Sequence, residues 1–287
     1  MLESCRAALE QSIPLRTLVV VDNSESPIGD RVVERVSAPA SEVHALHVGA
    51  NLGPAGGFNA GLEWLRRTTA DQEWVLCLDD DDPLPRPDVV ARLLEAVDSD
   101  SADPATLGGV GLMGARFYPP LLLTRPADVS RGGLVPADSL HGWAAPMYRA
   151  RALEQVGGFR AELFWGLEEL DLGIRLARRG WSVYVAADAY LSLPTPRKAV
   201  ERPGRPRVRL ADPSPRHYYR LRNTVEIGRR HFGLPSVAAA VAVRGFLKPV
   251  VNLPLRPAVA ARTLKQNARA VSDGWRGRLG QSSELED

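Results

Sequence analysis

Cysteine is almost absent from the 287-residue chain: Cys5 and Cys77 are the only two, too few for a disulfide framework, and no third thiol joins them in a metal site. A reducing compartment is the expectation. The N-terminus also lacks the charged-then-apolar pattern of a signal peptide, and the most apolar late stretch, Ser236 to Leu255, is interrupted by Arg244, Lys248 and Pro249. That makes a poor spanning segment, so a cytoplasmic location is expected. Compositional bias is lacking too: 45% apolar and 24% charged residues lie near globular averages, which excludes disorder and a fibrous repeat and allows one main core with an extension.

Charge is nearly balanced in total, at +2, but not along the chain. Residues 201–287 carry 17 Lys and Arg against 7 Asp and Glu, a net of +10 that leaves −8 for the first 200 residues. A basic tail of this kind suits a solvated face, a nucleic-acid surface or an anchor for anionic headgroups, and composition leaves the three open.

What the chain does have is a repeated order of strand, polar turn and helix. Leu15 to Val21 reads as a buried strand meeting Asp22-Asn23-Ser24, and His44 to Val48 as a second strand running into the glycine-rich turn of Asn51 to Gly61 and a helix from Leu62. Glu73 to Leu78 is a third, ending in Asp79-Asp80-Asp81-Asp82-Pro83 before a helix over Pro87 to Val97. This order predicts an α/β fold with a mostly parallel, doubly wound sheet. Asp103 to Asp138 reads as loop with short strands near Val110 and Phe117. Helices are expected over Arg149 to Val156 and Leu167 to Arg179, with a strand over Ser182 to Ala186. The domain reading is a catalytic domain over 1–195, a Pro- and Arg-rich connector over 196–215 and a basic helical extension over 216–287.

Four consecutive aspartates at a strand end are hard to explain as packing, because close like charges raise one another's pKa unless a cation neutralises them. Alternation along an extended segment puts Asp79 and Asp81 on one side, able to share a divalent cation, Mg²⁺ or Mn²⁺, while Asp80 points elsewhere. An acidic turn capping the following helix is the alternative. Asn51 to Gly61 supplies four glycines, which permit close backbone approach to a bulky ligand. Asn51, Gly56, Gly57 and Asn59, with Asp80, are the candidates for contacting it, although a tight loop with no ligand uses the same residues. Phe164 to Leu172 places Glu168, Glu169 and Asp171 at a helix start. These carboxylates either cap that helix or include a general base for an acceptor hydroxyl, beside Trp165 as a platform for a sugar ring.

The ordered set Val20 to Ser24, Asn51 to Gly61, Leu78 to Pro83, Gly157-Gly158-Phe159 and Phe164 to Leu172 resembles the family 2 glycosyltransferases of the GT-A fold. Within them it is most similar to the bacterial rhamnosyl- and galactofuranosyltransferase branch that builds cell-surface polysaccharides. The similarity covers about residues 1 to 225. It implies an inverting transferase that moves a sugar from a UDP or dTDP donor to a hydroxyl of a glycan or lipid-linked glycan. By position it implies that Asp22 lies near the nucleoside base, that Asp79 and Asp81 are the metal motif and that Glu169 is the catalytic base. It further implies His141, Trp143, Trp165 and Glu168 at the acceptor. Peripheral attachment to the inner face of the plasma membrane is expected from the basic tail, and nucleic acid is not an expected partner.

The chain departs from the family pattern in three places. Glu169 stands where the family usually has Asp; no His follows the last sheet strand near Tyr190 to Leu193, His217 being the next; and the opening apolar strand has no counterpart, since Leu2-Glu3-Ser4-Cys5 matches the helix after it. A central strand is therefore expected to be missing, and an upstream segment of about 10 to 20 residues is the expectation for supplying it. Two rival readings stand beside the transferase. A sugar nucleotidyltransferase would show a glycine- and arginine-rich loop at its N-terminus, which this chain lacks, whereas a nucleotide-sugar-binding protein without turnover would keep the same motifs.

Overall fold

The computed structural model describes residues 1–36, 40–69, 72–99, 103–193 and 213–282. Most of the expected connector at 196–215 lies outside these residues. The chain divides into two compact units, one of Met1–Arg116, Arg125–Ala161 and Glu169–Arg197, the other of Phe117–Thr124, Glu162–Glu168 and Lys198–Asp287. The second unit thus takes in two segments from inside the expected catalytic domain.

The first unit opens with α1 (Leu2–Leu9), β1 (Thr17–Asp22), α2 (Gly29–Val33), β2 (Glu42–His47), α3 (Gly53–Thr68), β3 (Trp74–Leu76) and α4 (Val89–Ser99). β1 and β2 pair in parallel from Thr17↔Glu42 to Asp22↔His47. The glycine-rich segment is helix rather than turn, since α3 begins at Gly53 with Pro54 in its first turn. Its glycines serve packing. A Cβ on Gly61 would approach Val21 Cγ2 to 3.0 Å and one on Gly57 would approach the Asn23 amide to 3.4 Å, so bare backbone, four residues apart, lets α3 lie against the end of β1.

There follow β4 (Leu107–Gly111), β5 (Gly114–Tyr118), β6 (Leu123–Pro126), β7 (Leu134–Ala137), β8 (Ser139–Leu140), β9 (Met147–Arg149), α5 (Ala150–Val156), α6 (Glu168–Arg178), β10 (Ser182–Ala186) and α7 (Ala187–Leu191). Four of these strands join β3 in the larger sheet, of order β3-β9-β4-β10-β7, and β6, β5 and β8 form another in that order, with β5 antiparallel to β8. β9 runs antiparallel to both β3 and β4, β10 runs parallel to β4, and β7 runs antiparallel to β10. The sheet is therefore mixed, not mostly parallel. β7 comes from the stretch read as loop and β9 from just after it, and both run against the strands they join. One face of the sheet packs on Leu93, Leu107, Val110 and Met147, the other on Leu153, Phe159, Leu172 and Leu176.

Among the described residues no strand lies between β1 and β3. A cavity of about 700 Å³ does, lined by every residue from Thr17 to Asn23 and from Trp74 to Asp80. Successive strand residues point to opposite faces, so a cavity that touches all of them borders strand edges rather than a sheet face. Cys5 and Ala8 of α1, Leu62 of α3 and Leu94 of α4 also line it. Between β1 and β3, two strand edges thus meet a cavity, a slot, instead of a ladder partner.

The second unit is helical: α8 (Pro215–His231), α9 (Leu234–Ala240), α10 (Lys248–Asn252) and α11 (Pro257–Arg276), with a π-wound turn, Val241–Leu247, joining α9 to α10. Tyr218, Tyr219, Leu221 and Ala270 form the α8–α11 seam. Gly274 brings the helices close, since a Cβ there would lie 2.4 Å from the Arg222 carbonyl oxygen.

Candidate active site

β3 stops at Leu76 and the chain turns at Asp80 and Asp81. The alternation that would pair Asp79 with Asp81 alone does not extend into a turn, and Asp82 folds back to join them. Each of Asp79, Asp81 and Asp82 offers one carboxylate oxygen, and the three lie within 4.8 Å of one another. Three hard anionic oxygens converging at a partly open turn fit a divalent cation such as Mg²⁺ or Mn²⁺, with coordination positions left over for a ligand's oxygens. Asp80 is anchored through its backbone: its carbonyl accepts from the Met1 amino group and, at 2.7 Å, from Ser4 Oγ.

The turn after β8 carries the next part of the site. A Cβ on Gly142 would sit 3.1 Å from Asp79 Oδ2 and 3.3 Å from Glu169 Oε1, so both oxygens close on one point beside the bare Gly142 backbone. The Gly142 N–H donates to Glu169 Oε1 at 3.3 Å. His141 and Trp143 flank this glycine with their rings stacked, 5.8 Å between centroids and 13° between planes. Burial holds the His141 imidazole below its ordinary pKa, which keeps it neutral near pH 7. Ala145 closes the turn in the left-handed region at φ 50°.

Two features hold α6, and with it Glu169. Gly173 lies so close to the link between β7 and β8 that an added Cβ would fall 1.8 Å from the Asp138 carbonyl oxygen. Asp171, fully buried, meets Arg160 at 3.3 Å and Arg175 at 2.6 Å. Of the three carboxylates at this helix start, Asp171 is therefore architecture and Glu169 faces the acidic turn. Glu168 is buried and lies in the second unit.

The other expected contacts are placed as follows. Asp22, Asn51, Gly57 and Asp80 line the slot between β1 and β3. The Asp22 carboxylate is already engaged, accepting from the Ile28 and Gly29 amides at 2.5 and 2.9 Å and from Ser24 Oγ at 2.6 Å, with His47 at 3.4 Å. Burial pushes its pKa up, but those hydrogen bonds and His47 outweigh burial and hold it below the ordinary value. Asn51 Oδ1 accepts from Gly53 N at 3.0 Å, beside Asn23, which pins the same turn through Leu52 N and Gly53 O. Gly56 backs onto Leu52, whose Cβ would be 2.4 Å from an added methyl, and Asn59 faces Gly158 on a separate pocket. Cys77 is inert, its buried thiol pushed up to about 12.

In the second unit, Asn223 of α8 donates to the carbonyls of Leu163, Trp165 and Gly166 at 2.7 to 3.0 Å, and Arg222 donates to Leu163 and Gly280. The loop they clamp has Phe164 at φ 61° and Gly166 at φ 84° and leads directly into Glu168 and Glu169; Leu167 follows at φ 70°. Buried donors of this kind offset a backbone that favours glycine. Trp165 lies under Arg216, 5.4 Å from guanidinium carbon to ring centre, and His217 is bonded to Asn267 at 2.9 Å.

Sequence reasoning missed Asp82, Gly142, Arg222 and Asn223. Asp82 was visible in the aspartate run. The polar pair Arg222-Asn223 following Tyr218-Tyr219 on a helix was a signal that buried polar groups were in use, whereas Gly142 carried no local mark.

Residues 1–112 match the family described as Glycosyl transferase family 2. No curated protein sequence matches the chain. Among solved structures it is similar to GalNAc-T7, crystallised with UDP, GalNAc and Mn²⁺, at 10% identity and a TM-score of 0.50, over 63% of this chain and 38% of that one. It is also similar to S. aureus TarS 1–349 in complex with UDP, at 15% identity and a TM-score of 0.47, over 96% of this chain and 87% of that one. The chain spans well under half the length of the GalNAc-T7 chain. The fold is the GT-A fold with a helical C-terminal region.

Proposed function

We propose that the chain is an inverting glycosyltransferase that moves a rhamnose- or galactofuranose-like sugar from a UDP or dTDP donor to a hydroxyl of a cell-surface glycan or glycolipid. It acts in the cytoplasm, peripherally at the inner face of the plasma membrane. The observation that supports this best is the convergence of Asp79 and Glu169 on Gly142, which sets one carboxylate beside a three-aspartate cluster. Asp79, Asp81 and Asp82 would hold a divalent cation, which when bound would neutralise charge on a departing nucleoside diphosphate. Glu169 takes the proton of the acceptor hydroxyl, oriented by the Gly142 amide. The hydroxyl oxygen bonds to the anomeric carbon as its bond to the diphosphate breaks, and the pair of electrons leaves with the diphosphate. One base and one displacement invert the anomeric centre. His141 and Trp143, next to the base, offer aromatic surface to the acceptor. The GalNAc-T7 structure, with its UDP and Mn²⁺, is consistent with a nucleotide-sugar donor and a metal.

Proton NMR of the product tests the mechanism: the anomeric configuration opposite to that of the donor is expected, and activity should cease in excess chelator. A retained configuration would overturn it. The slot between β1 and β3 favours a second reading, donor binding without turnover, because it opens beside Asp22 and Asn23. Nucleotide binding that raises the melting temperature while no product forms with any acceptor would select that reading.

A further inference from the structure

The helix Leu234–Asn252 presents the wrong face to water. An ordinary surface helix buries its apolar stripe and shows charge outward. Here the inner side is Val237, Ala240, Gly245, Pro249 and Asn252, all buried, with Leu221 of α8 packed at Gly245 and Asn267 of α11 donating to the Gly245 carbonyl. The outer side is apolar as well: Leu234, Leu247, Val250, Val251, Leu253 and Leu255 are each 45 to 70% exposed. Between Leu234 and Leu253 the only exposed charge is Lys248. A contiguous exposed apolar ridge of this kind marks an interaction surface.

The charge around the ridge selects the partner. From Ile227 to Ser272 the chain has eight Lys and Arg and no Asp or Glu. Lys248 stands on the ridge, Arg256 follows it, and Arg262 and Lys265 are exposed on the next helix. Apolar side chains to insert, with cations alone around them, fit the boundary between acyl chains and anionic headgroups. The segment is long and apolar enough to cross a bilayer. It does not fit a crossing, because Arg244, half-buried and bonded toward Thr224, would be carried to mid-membrane, and the inner face would have to leave α8 and α11.

We propose that Leu234–Leu255 is a membrane-docking ridge that lies flat in the interface of an anionic bilayer, with Leu247, Val250 and Val251 inserted and Lys248, Arg256, Arg262 and Lys265 at the headgroups. This gives a residue-level basis to the peripheral location proposed above and does not depend on the catalytic reading. The test is flotation of the full chain with vesicles of phosphatidylglycerol and phosphatidylcholine in equal parts, against vesicles of phosphatidylcholine alone, at low ionic strength. The chain is expected to float with the anionic vesicles and to be released by salt. The double variant Leu247→Glu with Val251→Glu alters exposed positions and should keep the parent's melting temperature while binding at least about tenfold more weakly. A second variant, Lys248→Gln with Arg262→Gln and Lys265→Gln, should weaken binding by roughly tenfold or more. Absence of flotation with anionic vesicles, or equal binding by the parent and the Glu variant, overturns the proposal. So does membrane association that survives alkaline carbonate. A dimer in solution that the Glu variant abolishes, without vesicle binding by the parent, assigns the ridge to a second copy instead.

Discussion

Two groups of carboxylates in the first unit differ in how their charge is balanced. At the start of α6, Asp171 is fully buried and held by Arg160 and Arg175, so its charge is balanced within the protein. At the end of β3, the oxygens of Asp79, Asp81 and Asp82 turn toward one another at a partly open turn. Burying a charge is costly unless a partner is supplied, and converging like charges favour an external cation. The first arrangement is architecture and the second fits a cation. Glu169 lies between them, on the helix that Asp171 anchors and beside Gly142, which Asp79 Oδ2 also approaches.

Substitutions should break this contrast in a definite order. Asp81→Asn removes an exposed carboxylate from the cluster, so transfer should fall by roughly 10³-fold or more, the effect of several kcal/mol of lost charge stabilisation. Its melting temperature should not fall, and steady-state assays across metal concentrations would show whether added ion restores any rate. Glu169→Gln should lower turnover by roughly 10²-fold or more while donor binding persists. Titration calorimetry with a nucleoside diphosphate and cation separates the two effects. A comparable loss of donor affinity would place Glu169 in the cation shell rather than at the acceptor.

Asp171→Asn should act in the opposite sense, on stability rather than chemistry. It leaves Arg160 buried beside a neutral group, at a cost of about 3 kcal/mol by analogy with broken buried pairs. Urea denaturation measures this, and the activity of the remaining folded protein should stay near the parent's. The smallest effect is expected at Asp22, whose folded pKa lies below its unfolded value. Its stabilisation is therefore complete above the ordinary carboxylate pKa and is lost as pH falls through the lower folded value. Asp22→Asn should cost about 1–2 kcal/mol at pH 7, and the difference from the parent should shrink in acid denaturation as the pH falls through the lowered folded value.

Much of this contrast was legible in the residues. The aspartate run at a strand end, the acidic helix start and the flanking aromatics are local patterns with local meaning. The positions of β1, β2, β3, α4 and β10 follow from periodicity and turn residues. The mixed direction of the larger sheet was not legible, because β7 and β9 are only four and three residues long and their partners are far away in sequence. Asp82 was read as outside the metal pair because alternation holds in strands and β3 had already ended. The glycines of Asn51 to Gly61 were read as ligand-facing, whereas Gly56, Gly57 and Gly61 each meet a side chain of the protein itself. A residue chosen for the absence of a side chain does not say in sequence what approaches it.

By itself the sequence determined the chemistry that is available: which carboxylates cluster along the chain, where strands end, and that the C-terminal third is basic and in places apolar. These are properties of short windows, set by side-chain period and charge. Only the tertiary structure decided which groups meet. Asp79, Gly142 and Glu169 are brought together from the end of one strand, a turn after another and the start of a helix, and Asp171 is neutralised by arginines on both sides of it in sequence. Burial likewise decides that Asp171 is silent and that Leu247 is exposed. The reason is physical: proximity and solvent access depend on how the elements pack, and the cost of a charge or of an exposed apolar side chain depends on both.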